Sequence, residues 1–86
     1  MTALVEIYTG PFCGYCNLAK RVLASKGVAF QEIDISEVEG AREEMMQRTG
    51  GRRSIPQIFI GGQHLGDCME MVALDRAGKL DALLAE

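Results

Sequence analysis

Thr9-Gly10-Pro11-Phe12-Cys13-Gly14-Tyr15-Cys16 is the stretch on which the reading of this chain turns. Upstream lies the short apolar run Ala3-Leu4-Val5-Glu6-Ile7-Tyr8, and downstream a helical pattern begins. A strand, a brief Gly-Pro loop and a helix would deliver Cys13 to a helix N-terminus, beside backbone N–H groups that have no intrahelical partner. Those groups favour a thiolate, which is the nucleophilic form of cysteine. Cys16 follows one helical turn later, within reach of any mixed disulfide formed on Cys13.

Working outward, residues 3–8 are apolar except Glu6, the pattern of a buried central strand. Tyr15, Leu18, Ala19, Val22 and Leu23 then share one helical face, and Gly27 after Lys26 suits a left-handed helix stop. Residues 28–35 (VAFQEIDI) read as a second strand, completing a βαβ unit that is normally parallel and right-handed. Ser36-Glu37-Val38-Glu39 has the form of a capping box and predicts a helix opening at Ser36. Val38, Ala41 and Met45 form its expected buried stripe, and Gly50-Gly51 end it. Residues 55–60 (IPQIFI) and Gln63-His64-Leu65, joined by Gly61-Gly62, predict an antiparallel hairpin with Pro56 at a strand start. Asp67-Cys68-Met69-Glu70 is another capping pattern, opening a helix with Met69, Val72, Ala73 and Ala77 on its expected apolar face. Gly78 interrupts, and Leu80, Leu83 and Leu84 mark a last helical segment. The expected order is β-α-β-α-β-β-α.

An 86-residue chain that is 48% hydrophobic can build one modest core, so residues 1–86 are expected to form a single domain. Three cysteines, two of them in one Cys-x-x-Cys, do not make the even framework of a secreted disulfide scaffold, and a reducing, cytoplasmic setting is expected. No basic leader with a long apolar stretch and no membrane-length apolar run is present in the sequence. A net charge of −3 speaks against a general nucleic-acid binder.

Cys13-Gly14-Tyr15-Cys16, with Ser54-Ile55-Pro56-Gln57-Ile58-Phe59-Ile60 and His64-Leu65-Gly66-Asp67-Cys68 in the same order, resembles the glutaredoxins of the small bacterial dithiol type. The resemblance covers nearly the whole chain. It implies an α/β thioredoxin-like fold with a four-stranded mixed sheet flanked by helices, and glutathione-dependent reduction of protein disulfides and glutathione mixed disulfides. Cys13 would be the nucleophile and Cys16 the resolving thiol. Tyr15, Arg53, Ser54, Ile55, Pro56, Asp67, Cys68 and Met69 would line the glutathione site. Within it, Ile55 would offer its main chain before a cis proline, and the helix start at Asp67–Met69 would receive a carboxylate. The partners implied are glutathione and disulfide-bearing or glutathionylated proteins, with the chain a monomer and no bound cofactor.

Three positions depart from the family pattern. Gly14 stands where proline is usual, Gly10 where lysine is common, and Met69 where a carboxylate is common. Arg52 or Arg53 is the nearest replacement for the missing lysine. Gly14 also opens an alternative, a [2Fe–2S] cluster held between two chains by Cys13 and glutathione. A zinc site of Cys13, Cys16, His64 and Cys68 is disfavoured by the long separation of its two halves. Tyr8 and Phe12 are expected to pack, as is Cys68.

Overall fold

A computed structural model describes residues 3–85. The chain forms β1 (Val5–Thr9), α1 (Gly14–Ser25), β2 (Gln31–Asp34), α2 (Ala41–Arg48), β3 (Gln57–Ile60), β4 (Gln63–Gly66), α3 (Cys68–Arg76) and α4 (Leu80–Leu84). The sheet order is β2-β1-β3-β4, with β1 parallel to β2 and antiparallel to β3, and β4 antiparallel to β3. The expected four-stranded mixed sheet is present. β1 lies inside it, which is why a strand of only five residues is almost wholly buried.

Alternation along the two inner strands divides the core. Val5, Ile7, Ile58 and Ile60 point into a large apolar cluster with Ala19 and Leu23 of α1, Met71 of α3, and Leu80 and Leu84 of α4. Tyr8 and Phe59 point the other way, onto Ala41 and Met45 of α2. That second face is smaller and is closed by charge. Arg48 donates to Glu6 at 2.9 Å and to the Tyr8 hydroxyl at 2.9 Å, lies 3.8 Å above the Phe59 ring, and leaves Tyr8 to donate to Glu44. Glu6, the charged residue in an apolar strand, therefore serves to anchor α2.

Several local expectations are corrected. The first helix buries Cys16, Ala19 and Leu23, while Tyr15 is exposed, so its apolar face begins one residue later than its periodicity suggested. The capping box at Ser36 does not form. Asp34 instead accepts from both the Ser36 N–H (2.8 Å) and its hydroxyl (2.6 Å), its carbonyl takes the Glu37 and Val38 N–H groups, and a turn results. Gly40 at φ 81° then caps α2, which starts at Ala41 and leaves Val38 exposed. In α3 the buried residues are Cys68 and Met71; Met69, Ala73 and Ala77 face outward.

The hairpin forms as expected. Gly61 and Gly62 have φ values of 61° and 81°, the pair of positive angles that a tight two-residue connection between twisted strands requires. Lys26, at the C-cap of α1, reaches Asp75 at 2.6 Å and Asp81 at 3.0 Å, tying the end of α1 to α3 and α4. No helix among the described residues is long and apolar enough to cross a membrane.

Candidate active site

Two helix N-termini meet the loop before β3, and the sequence specifies each. Cys13 is the N-cap of α1, in extended conformation (φ −111°, ψ 107°). Its Sγ accepts the Cys16 N–H at 3.2 Å, the hydrogen bond a serine or aspartate would take in an ordinary cap. The sulfur also lies 3.9 Å from the Ile55 carbonyl, next to the cis Ile55–Pro56 bond. Cys13 is half-buried and Cys16 is 1% exposed. Burial pushes the Cys16 thiol up to about 12, with the adjacent Cys13 sulfur adding to the rise and the Gly10 N–H and Lys20 opposing it. One sulfur of the pair is thus accessible and the other is held back as a neutral thiol.

The N-terminus of α3 is closed more tightly. Asp67 accepts the Glu70 N–H at 2.9 Å, and Glu70 accepts the Asp67 N–H at 3.1 Å, completing the predicted capping box. Arg52 bridges both carboxylates, at 3.1 Å to Asp67 and 2.7 Å to Glu70. The Glu70 carboxyl is lowered by these bonds, first by the Asp67 N–H and then by Arg52. Gly66, at φ 133°, makes room for this carboxyl, since a Cβ there would stand 2.7 Å from it.

Between the two ends runs a groove of about 300 Å³ lined by Tyr15, Ser54, Ile55, Pro56, Asp67, Cys68 and Met69. These are the residues expected at a glutathione site except Arg53, which is exposed and outside the lining. Burial raises the Cys68 thiol, helped by the charges of Asp67 and Cys13. A larger depression of about 460 Å³ at the ends of β1 and β2 is lined by Ala3, Leu4, Val5, Ala29, Phe30 and Gln31. It carries no titratable or nucleophilic side chain, so size does not mark the chemistry here.

His64 hydrogen-bonds Gln57 at 2.7 Å and lies against Phe59, and no group of three or more His, Cys, Asp or Glu side chains converges among the described residues. Three features escaped sequence reasoning. Arg52 serves α3 rather than the groove, Phe12 points into water rather than into the core, and Gly10 sits where a Cβ would come within 2.6 Å of Ile55 Cδ1. The family departure at Gly10 was visible in the sequence; the close approach behind it was not.

A dithiol at the start of the first helix, facing the loop that enters the central antiparallel strand of this sheet, defines a thiol-disulfide oxidoreductase of thioredoxin-like fold. The Glutaredoxin family model matches residues 5–65, and the chain belongs to that family. It is a glutathione-dependent disulfide oxidoreductase. It is 54% identical over 82 residues to Glutaredoxin 3 of Escherichia coli K12, covering 95% of this chain and 98% of that protein. The solution structure of a glutaredoxin from Brucella melitensis shares 50% identity at a TM-score of 0.84, covering 98% and 90% of the two chains. A buckwheat glutaredoxin–glutathione complex superposes with a TM-score of 0.87 at 29% identity, over 95% of this chain and 76% of that one.

Proposed function

We propose that Cys13 is the attacking thiolate, Cys16 the resolving thiol, and the groove between the two helix ends the seat of glutathione. On a glutathione mixed disulfide, the Cys13 thiolate attacks the glutathione sulfur and the protein thiolate leaves, taking up a proton. A glutathione thiolate then attacks the glutathione sulfur of the Cys13 adduct, releasing oxidised glutathione and restoring Cys13. On a protein disulfide, Cys13 forms a bond to one substrate sulfur, the other leaves, and Cys16 attacks Cys13 to release the reduced substrate. Two glutathione molecules return the Cys13–Cys16 disulfide to the dithiol.

The timing of Cys16 follows from its surroundings. Part of what holds it neutral is the neighbouring Cys13 sulfur. Once Cys13 is bonded to a substrate, that contribution disappears and Cys16 ionises more readily, after the first step rather than before it.

In the groove, the Ile55 main chain pairs with the tripeptide backbone, while Tyr15 and Met69 flank it and Ser54 and Pro56 shape its floor. The first-turn N–H groups of Cys68 and Met69 meet a carboxylate, since Asp67 already serves the Glu70 N–H. Arg53 makes no ion pair among the described residues and supplies the remaining cation at the rim. The observation that carries this reading is the groove itself, which joins the Ser54–Pro56 loop to the α3 N-terminus beside an accessible Cys13 Sγ. The relative solved as a glutathione complex supports the ligand. The chain acts as a monomer in the cytoplasm, on disulfide-bearing and glutathionylated proteins.

The alternative [2Fe–2S] reading has one accessible protein thiolate per chain, Cys13, because Cys16 and Cys68 are buried. A cluster needs four ligands, so two chains and two further thiols would be required. A glutathione-coupled assay on wild type, Cys13→Ser and Cys16→Ser decides the roles. Cys13→Ser loses turnover of both substrate types, whereas Cys16→Ser keeps small glutathionylated substrates and loses most protein disulfide reduction. Equal loss in both variants overturns the division of labour, and a brown dimer with visible absorbance favours the cluster.

A further inference from the structure

Phe12 has no place in the mechanism above, yet its position is unusual. It is the one non-glycine residue among the described positions with a positive φ, 56°, and its ring is fully exposed at 106%. A bulky side chain in the left-handed region is disfavoured, and such residues persist where the surrounding structure holds them. Here the effect is to keep a phenyl ring in water, one residue from the reactive sulfur, when the apolar core would otherwise take it.

We propose that Phe12 docks the polypeptide half of the substrate and favours cysteines that have an apolar neighbour. Phe12 is bonded to Cys13 but does not line the groove assigned to glutathione. When Cys13 attacks the sulfur of a glutathione half seated in the groove, the departing polypeptide half lies outside the groove, where this ring is the exposed apolar side chain next in the chain to Cys13. Its stretch of chain is uncharged, since no Asp, Glu, Lys or Arg occurs between Glu6 and Lys20 and α1 has no acidic residue in its first turn. Pro11, beside it in the chain, is exposed as well, and Tyr15 and Met69, at 59% and 55% exposure, are two further exposed apolar side chains in the groove lining. An extended segment bearing leucine, isoleucine or phenylalanine beside its cysteine fits this surface better than one bearing a charged or small polar residue. Phe12 adjoins the reaction centre through its bond to Cys13, and it discriminates among protein substrates while leaving small mixed disulfides unaffected.

The proposal rests on Cys13 being the nucleophile, and the test separates the two. Two glutathionylated peptides differing only in leucine or serine beside the cysteine are compared with the cysteine–glutathione mixed disulfide, which has no polypeptide half. The enzymes are wild type, Phe12→Asn, which accepts a positive φ, and Phe12→Leu, which restores apolar bulk. Wild type favours the leucine peptide in kcat/KM by about three- to tenfold, the effect of covering part of a phenyl ring. Phe12→Asn loses this preference, Phe12→Leu retains most of it, and all three turn over the small mixed disulfide alike. An unchanged preference in Phe12→Asn, or an equal fall on all three substrates, overturns the proposal. So does dimerisation of wild type that Phe12→Asn abolishes, which would assign the ring to a second copy of the chain. Failure of wild type on the small mixed disulfide instead removes the catalytic reading, and the docking role with it.

Discussion

The two helix ends that face the groove are built in opposite ways. At α1 the cap is a sulfur, the first turn has no carboxylate, and Gly14 has nothing within 4 Å of the Cβ it lacks. At α3 the cap is a carboxylate, a reciprocal Glu70 completes the box, and Arg52 binds both acids. The first end leaves its cap free for chemistry, because a thiol that must form and break bonds cannot also be fixed by an ion pair. The second fixes its cap and so presents the Cys68 and Met69 N–H groups in a constant direction. In the proposed mechanism, reaction and recognition are divided between these two helix dipoles.

The largest expected effect sharpens the contrast at α1, where Cys16 lies one turn inside the reactive cap. A thiol raised in the folded state holds its proton while the unfolded chain releases it. Its contribution to stability is therefore complete below the ordinary thiol value of 9.0 and fades as pH climbs toward about 12. Across that window, wild type loses stability relative to Cys16→Ala with a limiting slope of about 1.4 kcal/mol per pH unit. Urea unfolding of the two proteins at several alkaline pH values measures it; parallel curves would mean that Cys16 ionises normally.

Removing the carboxylate cap breaks the contrast from the other side. Asp67→Ala leaves the Glu70 N–H unpaired and deprives Arg52 of one partner, and the expected loss is about 0.5–2 kcal/mol of stability. The KM for glutathione should rise with kcat little changed, since the chemistry stays at α1. Arg52→Ala should cost less, about 0–1 kcal/mol, because its ion pairs are partly open to water. A shared drop in kcat would show that the α3 end participates in the reaction itself.

The smallest change makes the reactive end as rigid as its counterpart. Gly14 is the first residue of α1, a position that accepts proline, and Cys13 already has the extended backbone that a following proline demands. Gly14→Pro should stabilise the fold by about 0.4–1 kcal/mol through the unfolded chain alone. A destabilised Gly14→Pro would reveal strain at the cap.

How far each helix end was legible follows from how local its determinants are. Cys13-x-x-Cys16 and Asp67-x-x-Glu70 announce themselves because an N-cap and its third residue are adjacent in sequence and answer each other directly. Ser36-x-x-Glu39 carried the same pattern and failed, since Asp34 two residues earlier took the serine and Gly40 turned the chain before a helix began. Capping competition of that kind is decided by backbone angles that a pattern of residue types does not encode. The choice between Arg52 and Arg53 likewise depends on which side the loop presents to α3, and the closeness of Gly10 to Ile55 on a contact between segments far apart in the chain. The burial of β1 and the β3–β4 hairpin were closer to hand, because an apolar run and a Gly-Gly turn are properties of the local sequence itself. The ring of Phe12 was the opposite case: an apolar residue type predicts burial, and one backbone angle reversed it.

The unequal exposure of the three cysteines gives the protein a built-in gauge of its own breathing. Cys13 stands at the surface, while Cys16 on α1 and Cys68 on α3 are each 1% exposed on helices packed against one another. An alkylating reagent should mark one sulfur at once and the other two only when the structure around them opens. The rate at which second and third adducts appear in the mass spectrum then reports local opening directly, residue by residue, with no dye or engineered label.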